Sequence, residues 1–126
     1  MALTLGAPTI STLLREDTVI ATNTRLAANT TIANPILRLR ISTTTLVVFP
    51  LNASTPLTVG ASDGQATVNP TSTTAVASGG AAQVADNYQI LGRDNAVHLS
   101  GAVTGGDAIT AGQTITLNTT TVNMPA

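Results

Sequence analysis

PILRLRIS, residues 35–42, decides the fold class. Leu37, Leu39 and Ile41 fall on one face of an extended chain, and Arg38 and Arg40 fall on the other. Strict alternation of this kind is the period of a β-strand with one face on a core and one in water. The stretch LVVF, residues 46–49, follows at once as a continuous apolar run that ends at Pro50, the pattern of a more deeply buried strand.

Working outward, the same alternation recurs in short pieces. Strands are expected at Thr18 to Ala21, Thr30 to Ala33, Leu57 to Val59, Ala66 to Asn69 and Thr73 to Ala77. They are bounded by the turn signals Asn34-Pro35, Asp63-Gly64, Asn69-Pro70 and Gly79-Gly80. In the last third, Tyr88 to Leu91 reads as a strand and Gly92-Arg93-Asp94-Asn95 as a tight turn. Ala96 to Val103 returns, Gly105-Gly106-Asp107 turns again, and Thr114 to Leu117 alternates once more. Helical periodicity is poor, and its best stretch, Ser11 to Asp17, supports a turn or two. The expectation is an all-β, single-domain antiparallel β-sandwich or barrel of jelly-roll type. Residues 1–34 would form an extended N-terminal arm with the first short strands, and residues 35–126 the β-sandwich core.

Composition agrees with a sheet protein. Nearly a fifth of the chain is threonine, which is stiff at χ1 and suits a half-wet pleated face. There is one Phe, one Tyr, no Trp and no Cys, so the core must be aliphatic and no disulfide or thiolate site exists. All five basic residues are arginines, only 9% of residues are charged, and the net charge is -1. Surface this poor in charge is expected to be covered by something else. Nucleic acid is not expected as a partner, since that requires clustered cations. A membrane is not expected either, since the longest strongly apolar run is Leu46 to Phe49. The opening MALTLGAPTISTLL lacks the basic and unbroken apolar regions of a signal peptide.

No catalytic, cofactor or metal constellation is expected. His98 lies between Asp94 and Ser100 in DNAVHLS, but His98 and Ser100 are strand neighbours, and no nucleophile elbow accompanies them. The reading preferred is an exposed strand histidine on the polar face. The six acids stand singly or in turns and do not repeat a calcium-loop spacing. Runs such as Thr43-Thr44-Thr45 and Thr119-Thr120-Thr121 lack the fixed period of an ice-binding solenoid. A sugar-binding adhesin would want exposed aromatics for stacking. Arg38 and Arg40 are the pair singled out, because arginine is enriched at interfaces.

Three pieces carry a family likeness: ILRLRISTTTLVVF followed by GQATVNPTSTTAVASGGAA, then ADNYQILGRDNAVHLSGAVT, then GGD followed by LNTTTV. Over Ile36 to Val122 the chain resembles a family of small virion structural proteins of tailed bacteriophages. It departs from that pattern at Ala108 to Gln113, which separate the GGD turn from the LNTTTV strand, and its first 35 residues have no counterpart. The resemblance implies a virion component with a β-sandwich fold. The function expected is capsid decoration: a cement protein without enzymatic activity or cofactor, placed on the capsid surface. Its partners would be the major capsid protein and itself, as a homotrimer whose symmetry multiplies weak contacts. The alternative is a tail, baseplate or fibre module for assembly or host attachment. The arm, through Leu3, Leu5 and Ile10, would lie along the shell while Arg38 and Arg40 face acidic capsid loops. Removing residues 1–14 would then abolish shell binding without unfolding the domain.

Overall fold

The computed structural model describes residues 4–5, 12–59, 65–79, 81–104, 106, 108–117 and 121–123. In chain order the elements begin with β1 (Thr4–Leu5), α1 (Thr12–Ala27), β2 (Ile36–Ile41), β3 (Thr44–Pro50), β4 (Leu57–Val59) and β5 (Gln65–Val68). They continue with β6 (Thr74–Val76), β7 (Gln83–Val84), β8 (Asn87–Leu91), β9 (Val97–Thr104), β10 (Ala108–Ile109), β11 (Thr114–Thr116) and β12 (Thr121–Asn123). The chain is therefore all-β in class with a single helix among the described residues. Eight strands form one sheet in the order β3-β2-β8-β9-β1-β12-β5-β4, and β10-β7 and β11-β6 form two-stranded ribbons. Every pairing is antiparallel except β1 with β12.

The alternating stretch becomes β2, with Leu37 and Leu39 fully buried and Arg38 and Arg40 half-buried on the other face. The β2–β3 connection is a two-residue loop, Ser42-Thr43, with Ser42 in the left-handed region at φ 50. The β2–β3 register shifts between Leu39 and Arg40, so β3 carries one extra residue, Leu46, opposite them. That bulge is why Leu46 and Val47 are consecutive yet both fully buried, the continuous run seen in the sequence. The β8–β9 turn closes through Asn95 N–H donating to Gly92 O at 2.9 Å. Asn95 supplies the positive φ, at 63.

The two ends of the sheet approach one another. Leu51, just past the edge strand β3, bridges Pro70, just past β5 near the opposite edge. Thr71 N–H donates to Pro50 O and Asn52 N–H to Asn69 O, each at 2.9 Å. Farther along β3, Ser78 N–H donates to Leu46 O at 2.8 Å, so the segment after β5 covers this edge. One hydrophobic cluster fills the interior. It joins Leu37, Leu39, Phe49, Tyr88 and Ile90 of the sheet to Ile109, Ile115 and Leu117 at the ribbons.

Residues 1–34 differ from expectation. Thr18 to Ala21 is helical, and Thr30 to Ala33 bends outside any strand, with Thr31 and Ile32 N–H donating to Arg93 O. In place of a turn or two, α1 runs from Thr12 to Ala27, and Glu16-Asp17 belongs to it. Its apolar stripe is Val19 and Leu26, both in the common core, with Asn23 between them at helical spacing. Asn23 is a latch: its Nδ2 donates to Leu57 O at 2.9 Å, and Leu57 N–H donates to its Oδ1 at 3.0 Å. The amide thus takes both outward backbone groups of Leu57 on the edge strand β4. Asn29, at φ 53, terminates the helix as glycine would, and Arg93 N–H takes up the orphan carbonyl of Leu26 at 2.7 Å.

Of the expected N-terminal arm, residues 4–5 are described before α1 begins. Thr4–Leu5 lies inside the sheet, antiparallel to β9 through Leu5↔Val103 and parallel to β12 through Leu5↔Val122. It is the strand that joins those two, so residues 4–5 are structural and not a free arm. Leu3 and Ile10 lie outside the described residues.

Candidate functional site

Burial of Leu37 and Leu39 forces Arg38 and Arg40 onto one outer face of β2. Their cross-strand partners on β8 are Gln89 and Asn87, and on β3 they are Val48 and Thr45, all four uncharged. Arg38 Nε donates to Gln89 Oε1 at 2.7 Å, and its Nη2 donates to the same oxygen. Arg40 Nη2 donates to Thr43 O at 3.0 Å, while Arg40 Nε is buried without a hydrogen-bond partner among the described residues. Asp86 is near, since its N–H donates to Arg40 O at 2.9 Å. Its Oδ1, however, accepts from Ser42 N–H at 3.1 Å and from Asn87 Nδ2 at 2.5 Å. Among the described residues neither arginine has a carboxylate partner. Burial, and then the neighbouring Arg40, lower the Arg38 guanidinium from its ordinary value.

A second polar arrangement lies at the β8–β9 turn. The β8–β9 register passes from Ile90↔Leu99 to Leu91↔Val97, which leaves His98 as the extra residue of a bulge. The bulge lets His98 Nε2 approach both oxygens of Asp94, at 2.9 and 3.1 Å. Asp94 Oδ1 also accepts from Ala96 N–H at 3.1 Å. That backbone bond first, and the His98 bond second, hold the Asp94 carboxyl below the usual carboxylate range. Ser100 pairs across to Gln89, and no hydrogen bond joins it to His98. The structure therefore brings Asp94 and His98 together and leaves Ser100 out. Val97 is 43% exposed beside the bulge.

The helix and the ribbons add an apolar component. An open groove of about 470 Å³ runs between α1, at Ile20, Thr24 and Ala27, with Ala28 just past it, and the loop at Ser54 and Thr55. Ile20 is 65% exposed, Val76 on β6 64%, and Val84 on β7 48%. On the β6–β11 ribbon, Val76 faces Thr114 and Thr74 faces Thr116. Among the described residues no three of His, Asp and Glu gather as a metal-ligand cluster. No described helix is long and apolar enough to cross a membrane.

No family model, curated protein or solved structure matches this chain.

Of the interface residues drawn from the sequence, the structure brings Arg38 and Arg40 together. Leu5 is committed to the sheet backbone, and Leu3 and Ile10 are not described. Sequence reasoning missed Gln89 and Asn87 as the neutral neighbours of the arginines, because register between β2 and β8 is a long-range property. It also missed Ile20 as an exposed side chain, because residues 18–21 read as a strand.

Proposed function

We propose that this chain is a structural protein without catalytic function that decorates the outer surface of a bacteriophage head and bridges its capsomers. The observation that carries the reading is aliphatic surface without charge to solubilise it. Ile20, Val76, Val84 and Val97 are exposed on four different elements of a chain in which 9% of residues are charged. Each patch is small, which suits several modest contacts made together more than one large interface. A homotrimer seated where capsomers meet would engage its patches in triplicate. The family likeness over Ile36 to Val122 supplies the virion context. The major capsid protein and sister protomers are the partners in this reading.

The test is quantitative mass spectrometry of purified particles, with this protein measured against the major capsid protein. A copy number comparable to that of the capsid protein is expected. A handful of copies per particle would reassign the chain to a tail or vertex, and its absence from particles would overturn the virion role.

A further inference from the structure

The arginine face is built in a way that a solvated strand face does not require. β2 and β8 pair Arg38 with Gln89 and Arg40 with Asn87. Gln and Asn are the neutral isosteres of Glu and Asp, so the two positions best placed to neutralise the cations internally are occupied by amides. Two like charges one pleat apart repel, and both are half-buried, which adds a desolvation cost. Gln89 nevertheless fixes the Arg38 guanidinium by taking bonds from Nε and Nη2. The arrangement orients a cation without discharging it. Arg40 Nε is buried without an acceptor among the described residues.

We infer that the outer face of β2 is a receiving site for a carboxylate of an acidic protein segment, with Arg38 and Arg40 as its cations and Gln89 as the residue that positions Arg38. The inference rests on the docking reading above, from which it takes the premise that another protein covers this surface. A planar carboxylate fits the guanidinium fork of one arginine and relieves the repulsion between the two. Nucleic acid would need a longer tract of cations to track successive phosphates, and an anionic membrane a cluster of several. The cross-strand partners of this pair are neutral, the Asp86 carboxylate beside Arg40 is bonded to Ser42 and Asn87 instead, and the chain as a whole carries a charge of -1.

The guanidinium Nε–H groups report on the site directly. In the ¹⁵N-labelled full chain, Arg38 Nε–H is hydrogen-bonded and Arg40 Nε–H is buried, so both should exchange slowly enough to be seen by NMR. Acetylated, amidated tetraglutamate is titrated in, with tetraglutamine, inorganic phosphate and a short oligonucleotide in parallel. The Arg38 and Arg40 signals should move together and saturate with tetraglutamate, with a Kd on the order of millimolar, and stay still with tetraglutamine. Gln89→Glu places a carboxylate on Arg38 from within and should abolish the response while the amide spectrum stays folded. Arg40→Gln should weaken it by about fivefold or more.

No saturable shift with tetraglutamate overturns the inference. So does a stronger response to phosphate or oligonucleotide, or undiminished binding by Gln89→Glu. The copy-number measurement separates this site from its premise. A chain present on particles but silent in the titration loses the arginine site alone. A chain that titrates but is absent from particles keeps the site and loses the virion role.

Discussion

Replacing Asn23 by Ala should be among the most damaging single changes in α1, although Asn23 is neither apolar nor fully buried. Leu57 is 1% exposed, and its N–H and C=O point away from β5 toward the helix. Its neighbours carry the β4–β5 pairing, with Asn69 N–H donating to Pro56 O at 2.9 Å. Asn23 is thus the partner of both Leu57 groups. Alanine leaves a donor and an acceptor unmet, each costing about 1–3 kcal/mol when buried. The adjoining groove at Ile20 and Ser54 lets water reach part of the site, which holds the expected loss to about 2–4 kcal/mol. Against a total stability of roughly 5–15 kcal/mol this is a large fraction. For a domain of this size it lowers Tm by about 8–15 °C. Urea unfolding followed by circular dichroism measures it, with the midpoint falling and the slope unchanged. Asn23→Asp should fall between, since it can still accept from Leu57 N–H but cannot donate to Leu57 O. Thr24→Ala, one residue along on the exposed side, should stay within about 0.5 kcal/mol of wild type. An Asn23→Ala protein equally close to wild type would refute the latch and with it the account of why α1 is helical.

Further outcomes follow from the same geometry. Gly79→Ala would set a Cβ 2.5 Å from Leu46 Cδ2 and 2.9 Å from Leu46 Cα; calorimetry should show a loss of about 1–3 kcal/mol from overpacking against backbone. Removing residues 1–5 takes out the strand between β9 and β12, so thermal unfolding should show a loss of at least about 2 kcal/mol, whereas a merely surface-lying arm predicts none. Burial pushes the Tyr88 phenol above its usual range. With its folded value raised, its contribution is complete below the ordinary tyrosine range and lost as pH rises through the folded value. The rise in tyrosinate absorbance, unobscured because there is no other Tyr and no Trp, should coincide with alkaline unfolding. The Asp94 carboxyl is held low, so it stabilises above the ordinary aspartate range, and that stability is lost as pH falls through its folded value. The stability gap between wild type and Asp94→Asn should therefore narrow on acidification, and a gap independent of pH would contradict the bonding drawn for Asp94.

The strands from Ile36 onward were legible because the pleat imposes its own period on any chain with one wet face. Leu37 and Leu39 against Arg38 and Arg40 needed no knowledge of a partner strand. The turn at Gly92 to Asn95 was legible for the same local reason, since only a few residues tolerate its backbone. The arginine pair could be found by period alone, but its neutral cross-strand partners could not, because Gln89 and Asn87 reach it across 51 and 47 residues of sequence. The helix was hidden. Between Val19 and Leu26 the stripe passes through Asn23, and Ile20 faces solvent, so the sequence shows β-branched residues and no clean apolar face. What makes that segment helical is tertiary: among the described residues Val19 and Leu26 enter a core built elsewhere, and the Asn23 amide takes the outward backbone groups of Leu57 on β4. Strand β1 is similar, two residues long and without meaning until β9 and β12 lie on either side of it. Sequence by itself determined the β class and the face on which the cations stand, because both follow from neighbours along the chain. Tertiary structure alone decided the helix, the strand order and the company the arginines keep, because each depends on backbone groups that find their partners only across the fold.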